Sequence, residues 1–162
     1  MLFRSSGDVE IHLTKNQISF SAENLYLTSR VVDGAFPDYK QILPKTFSTE
    51  VTMLKEDFSS ALKLATIFGD KFNHLTITAD PEKKLFTLYS KNADVGEHRD
   101  SVAATLKGEA LEVGFNYKYL ADCLQSIEAD SVSLSFNGQG KPLVVRGISD
   151  KTFTYLVMPM NR

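Results

Sequence analysis

The chain has 162 residues, enough for one ordinary domain or for one domain with part of another. With 43% hydrophobic and 23% charged residues it has the balance of a globular protein, and no apolar run approaches the roughly 18 residues of a membrane span. A formal net charge of −2 excludes a surface basic enough to grip nucleic acid all over, and leaves room for a local basic face.

The N-terminal Met1-Leu2-Phe3-Arg4-Ser5-Ser6-Gly7 lacks a basic region followed by a long apolar stretch, so no secretory signal is expected and a cytoplasmic location follows. Three short strands come next: Val9 to Leu13, Ile18 to Ser21 and Leu25 to Ser29, joined by turns at Lys15-Asn16-Gln17 and Glu23-Asn24. Three antiparallel strands without a helix leave one apolar face bare and are marginal alone. The expectation is that a strand and a helix precede Met1 in the natural protein. The segment Phe36-Pro37-Asp38-Tyr39-Lys40-Gln41-Ile42-Leu43-Pro44 then reads in two ways. Its prolines suit an extended inter-domain linker. Its apolar side chains also suit one wall of a greasy groove at a domain boundary.

Glu50-Val51-Thr52-Met53 is strand-like, and apolar residues Leu54, Phe58, Ala61, Leu62, Ala65 and Phe68 predict an amphipathic helix from about Leu54 to Phe68. Gly69 closes it. Strand-like segments follow at Leu75 to Thr78, Leu85 to Tyr89 and Val102 to Leu106. A second helix starts at Asn116, a good N-cap, carries Leu120, Cys123, Leu124 and Ile127 on one face, and ends near Ala129-Asp130. Val132 to Phe136, Leu143 to Val145 and Tyr155 to Met158 are again strands, with Gly138-Gln139-Gly140-Lys141 as a hairpin turn.

Glu50 to Met53 aligns with Glu112 to Phe115, and Phe58, Ala61 and Leu62 align with Leu120, Cys123 and Leu124, a period of about 62 residues. The unit is strand, helix, three strands. Two copies predict an α+β fold with two helices packed on antiparallel sheet, preceded by a partial domain of antiparallel strands.

Little in the chain supports catalysis. His12, His74 and His98 are scattered and lack the partners of a nucleophilic site. Glu56-Asp57 falls in a first helical turn, where acidic residues favour the dipole. Cys123, the one cysteine, cannot form an internal disulfide and lies on an apolar helix face. No Cys/His cluster has metal-ligand spacing, so no metal and no cofactor is expected.

Two features point to binding. Lys55, Ser59, Lys63 and Thr66 share one helix stripe, and Lys118, Asp122 and Gln125 another, with Lys71 just beyond the first helix. They are either solvated helix backs or a modest cationic face for loose phosphate contact. The second feature is the end, Tyr155-Leu156-Val157-Met158-Pro159-Met160, an apolar segment that would fray unless held. Beside the proline connector, its methionines would supply adaptable contacts to an incoming peptide.

The residues Val32-Asp33-Gly34-Ala35-Phe36-Pro37-Asp38-Tyr39-Lys40-Gln41-Ile42-Leu43-Pro44-Lys45, Gly114 to Leu120 and Tyr155 to Met160 resemble the C-terminal part of the bacterial sliding clamp family, the β subunit of DNA polymerase III. The resemblance covers essentially the whole chain. It implies the DNA clamp fold, with residues 1–45 as the end of a second domain plus linker and 46–162 as a third. It also implies a processivity factor without an active site, a head-to-tail homodimeric ring around double-stranded DNA. Such a ring tethers the polymerase III alpha subunit, the clamp-loader delta subunit and other proteins bearing a clamp-binding motif. The implied peptide groove is Pro37, Gln41, Ile42, Phe72, Asn116, Tyr119, Pro142, Leu156, Val157, Met158, Pro159 and Met160, and the implied DNA-facing cations are Lys55, Lys63, Lys71 and Lys118. The chain departs from the pattern at Gln41, where some relatives place Arg, and in its polar Asn161-Arg162 end. The alternative is a peptide-binding adaptor that does not encircle DNA.

Overall fold

Residues 7–36, 38–150 and 152–160 are described by the computed structural model. The chain divides into two compact units, one ending at Tyr39 and the other beginning at Lys40. In the first, β1 (Glu10–Leu13), β2 (Gln17–Ala22) and β3 (Leu25–Arg30) form an antiparallel sheet in that order. The register sets Ile11 beside Phe20 and Phe20 beside Leu27, so one face is apolar. Ile11, Leu13, Leu25 and Leu27 are exposed on it, as a three-strand sheet with no helix of its own requires.

The second unit is built from the repeat. Its first copy is β4 (Thr49–Leu54), α1 (Lys55–Ile67), β5 (His74–Asp80), β6 (Leu85–Asn92) and β7 (Gly96–Ser101). The chain then runs through buried Val102 into β8 (Ala104–Gly108). The second copy is β9 (Leu111–Asn116), α2 (Tyr117–Gln125), β10 (Ser131–Phe136), β11 (Leu143–Gly147) and β12 (Tyr155–Val157).

The two copies exchange strands. One sheet has the order β7-β6-β5-β9, so the first copy's three late strands take their fourth neighbour from the second copy. The other has the order β12-β11-β10-β4-β8, with the donor reversed. The ends follow the same rule. β8 continues from β7 to pair with β4, and beyond β12 the Met160 N–H donates to the Gly114 carbonyl of β9 at 2.8 Å.

The helices lie antiparallel, and each begins by gripping the end of the other. The Lys55 N–H donates to the Asp130 carbonyl at 2.8 Å, and the Tyr117 N–H to the Asn73 carbonyl at 3.0 Å. These two donors belong to the first residues of α1 and α2, whose amides have no partner inside the helix. Lys55 Nζ adds a bond to the Ile127 carbonyl at 2.8 Å, and the Tyr117 ring closes on Gly69, where an added Cβ would lie 2.6 Å from a ring carbon.

The core joins both copies. Phe58, Ala61, Leu62 and Ala65 of α1 and Leu120, Cys123 and Leu124 of α2 are buried with Val51, Leu75, Ile77, Leu88, Phe115, Leu134 and Val145 from the strands. Phe58 meets Phe86 with ring centroids 6.2 Å apart, and Phe115 meets Phe136 at 6.3 Å, both tilted as aromatic quadrupoles prefer.

Three expectations need correction. Leu54 is not on the helix's apolar face but ends β4 and is 54% exposed, because strand alternation governs that position. α2 stops at Gln125, with Ile127 and Ala129 continuing the apolar lining as a loop. β7 was not expected as a strand: Gly96-Glu97-His98-Arg99-Asp100-Ser101 holds no aliphatic residue, and the strand is an edge whose pairing with β6 does not depend on a buried face.

Gly108 adopts φ +98° where β8 passes Ser48, and an added Cβ would overlap the Ser48 carbonyl oxygen. Gly108→Ala should therefore cost about 1–3 kcal/mol or more. Urea denaturation followed by circular dichroism should show a lower midpoint, and an unchanged midpoint would contradict the close approach.

Candidate peptide-binding site

The connector reaches the second unit through Gln41 to Pro44, after a 3-10 turn over Tyr39–Gln41. Gln41, Ile42, Leu43, Pro44 and Lys45 line one side of a depression of about 540 Å³. Asn137, Gly140, Lys141, Pro142 and Met158 line the other. The sheet positions the second wall. β11 pairs with β10 on one side and with β12 on the other, bringing the start of β11 and the residue after β12 to the same end. Ile42 and Met158 are both exposed, so the depression presents apolar surface to solvent.

This arrangement assembles Gln41, Ile42, Pro142 and Met158 of the expected groove. Pro37 lies outside the described residues, as do Asn161 and Arg162. Leu156 stands opposite Val144 and is half-buried, whereas Val157 is 5% exposed and belongs to the core. Strand alternation explains the split: in consecutive residues of β12 only one side chain can face the core. Val157 therefore anchors the wall from behind rather than lining it.

Pro159 and Met160 line a smaller cleft of about 260 Å³ with Glu112, Val113, Gly114 and Gln139, and Gly140 borders both spaces. Phe72 and Asn116 meet separately, through an Asn116 Nδ2 to Phe72 carbonyl bond of 3.4 Å. Asn116 also accepts the Lys118 N–H on its Oδ1 at 3.0 Å, the N-cap read from the sequence. Phe72 and Tyr119 are exposed, and neither lines the depression. Asn137, Gly140 and Lys141 were missed as lining residues, although Pro142 next to the Gly138 to Lys141 turn pointed to that hairpin.

The expected cationic residues separate. Lys55, Ser59 and Lys63 of α1 share a cleft between the helices with Glu56, Ser60, Ala121, Leu124 and Gln125. Lys71 instead stands over the Phe72 ring, 5.0 Å from its centroid, and Lys118 is exposed at the start of α2. Thr66 turns its hydroxyl back to the Lys63 carbonyl at 2.6 Å.

Among the described residues no cluster of His, Cys, Asp and Glu is placed to hold a metal ion, and no helix is long and apolar enough to cross a membrane. His98 stacks on Phe68 at 5.3 Å, and its Nε2 is buried without a hydrogen-bond partner. The Cys123 thiol donates to the Leu120 carbonyl at 3.2 Å, and burial, with the Asp122 charge adding to it, pushes its pKa up to about 12.

Residues 40–161 match the family described as DNA polymerase III beta subunit, C-terminal domain. The chain belongs to that family, and its fold is the one the repeat and the exchanged strands build. It is 31% identical over 157 residues to the beta sliding clamp of Synechococcus elongatus, an overlap of 96% of this chain and 42% of that protein. The clamp of Bartonella birtlesii bound to griselimycin superimposes with a TM-score of 0.85 at 32% identity, over 96% of this chain and 42% of that one. A Pseudomonas aeruginosa clamp gives 0.86 at 26% identity, over 97% and 43%. The chain thus spans less than half the length of the relatives it matches.

The raised Cys123 pKa has a pH consequence. The folded thiol holds its proton between the model-peptide value near pH 9 and about pH 12, where an unfolded one loses it. That contribution to stability is complete below about pH 9 and is lost as pH rises towards 12. At pH 8, iodoacetamide should leave native Cys123 unlabelled and modify it readily in urea; rapid labelling of the native protein would contradict its burial.

Proposed function

We propose that this chain is the partner-docking portion of a bacterial processivity clamp. In this reading the complete protein closes as a head-to-tail homodimeric ring around duplex DNA in the cytoplasm. It holds the polymerase III alpha subunit there, receives the clamp-loader delta subunit, and catalyses no covalent step. Residues 1–45 are the end of its second domain with the linker, and 46–162 its third. The observation that carries the proposal is the shared depression, in which Gln41 and Ile42 of the connector face Pro142 and Met158 across a gap of about 540 Å³.

The physical case is one of division of labour. An apolar, half-open trough suits a short peptide with a few aliphatic or aromatic anchors, and a methionine in its wall can reshape around different anchors. The Pro159-Met160 cleft, which shares Gly140 with the depression, gives a longer peptide further surface to cover. The helices offer something different. Lys55 and Lys63 sit among serines and Gln125, groups suited to loose, water-mediated phosphate contact rather than base reading. Weak contact permits sliding, and retention then comes from encirclement.

Two measurements test this. A fluorescein-labelled peptide from the tail of a polymerase III alpha subunit should bind the chain, and Ile42→Ala with Met158→Ala should weaken it at least tenfold, about 1.4 kcal/mol, by fluorescence polarisation. Griselimycin, bound by the Bartonella birtlesii clamp, provides a competitor. Unchanged affinity would remove the depression from the site. In a full-length clamp carrying these residues, Lys63→Glu with Lys118→Glu should shorten retention on nicked circular DNA. Peptide binding with no retention at all would favour the adaptor reading.

A further inference from the structure

Of the four methionines in the chain, Met53, Met158 and Met160 lie among the described residues, and their environments differ sharply. Met53 is 4% exposed inside the core. Met160 is half-buried in the smaller cleft and tied by its N–H to Gly114. Met158 keeps 58% of its surface in solvent while lining the larger depression. It follows β12 directly, so the strand holds its backbone while its side chain stays outside the core.

We infer that Met158 is an oxidation-sensitive modification site whose conversion to the sulfoxide closes the depression to apolar peptides. The inference rests on the peptide-docking reading above. The oxidant is a hydroperoxide, hydrogen peroxide in the simplest case. A sulfur lone pair attacks one oxygen of hydrogen peroxide and forms the S–O bond as the O–O bond breaks, and the displaced hydroxide takes the proton from the oxygen now on sulfur and leaves as water. Sulfur is oxidised and peroxide reduced, with no other reagent consumed.

The step is selective because peroxide must reach the thioether, and the core shields Met53. Its effect follows from polarity. The thioether is a weak acceptor that packs as an apolar group, whereas the sulfoxide is a polar, chiral group with a strong acceptor oxygen. A bound peptide that covers this oxygen without a donor leaves a desolvated polar group, a penalty worth roughly tenfold or more in affinity. Lys45 and Lys141 also line the depression, so a sulfoxide there has cations as neighbours when no peptide is bound. That favours the open, unoccupied state further. The change is reversible, since methionine sulfoxide reductases restore the thioether.

The test uses the whole chain with the labelled alpha-tail peptide as probe. After graded hydrogen peroxide treatment, peptide mass spectrometry should find one added oxygen on Met158 well before Met53 or Met160. Affinity should fall about tenfold in step with Met158 oxidation, and the two sulfoxide reductases together should restore it. Met158→Gln should bind weakly and respond no further to peroxide, and in Met158→Leu the ratio of affinities before and after peroxide should be close to one. Oxidation of Met158 no faster than that of Met53, or full affinity with Met158 quantitatively oxidised, overturns the inference alone. A reduced protein that never binds the peptide overturns the docking reading and this inference with it.

Discussion

Reciprocal bracing of the two helices is the constraint on which the second unit depends. The first amide of α1 and the first amide of α2 occupy equivalent places in the repeat, and each is satisfied by a carbonyl just beyond the end of the opposite helix, Asp130 and Asn73. α1 has no side-chain cap at Leu54, so the bond from Lys55 to Asp130 meets a need its own sequence leaves open. The side chains then diverge. Lys55 reaches a carbonyl with its ammonium, while Tyr117 covers a glycine with a ring. One backbone arrangement has been kept with two different chemistries.

That bracing fixes the helix pair, and the helix pair fixes where the exchanged strands must run. β4 enters the sheet of the second copy and β9 that of the first, so the connector preceding β4 arrives beside β10, β11 and the tail rather than beside its own copy's strands. The Ser48 N–H donating to the Phe136 carbonyl at 2.9 Å marks the crossing. The proximity of Ile42 to Met158 is therefore a product of topology, since residues more than a hundred positions apart meet because a strand was traded. Val157, packed into the core, then sets Met158 at the mouth of the depression.

Much of this was legible in the sequence wherever burial wrote a period. Phe58, Ala61, Leu62 and Ala65 mark α1, Asn116 marks the start of α2, and the matching Glu50 to Met53 and Glu112 to Phe115 segments mark the duplication. What could not be read depends on partners distant in the chain. β7 carries no apolar signal because it is an edge, and the exposed end of β4 at Leu54 imitates a helical position. Of the twelve residues expected in the groove, four line one depression. Ile42, Gln41, Pro142 and Met158 converge, but one list of apolar tail residues cannot separate Val157, which faces the core, from its neighbours without knowing the pleat.

The traded strands also make the two copies inseparable. A cut at Glu109-Ala110, between β8 and β9, would not release two miniature domains, because the first fragment would carry β4 and β8 of the five-stranded sheet and the second would carry β9 of the four-stranded one. Neither piece would have a closed sheet or a satisfied helix start, yet each would hold the template for its complement. Mixed together, such halves have the makings of a fragment-complementation pair, in which folding and association become a single concentration-dependent event.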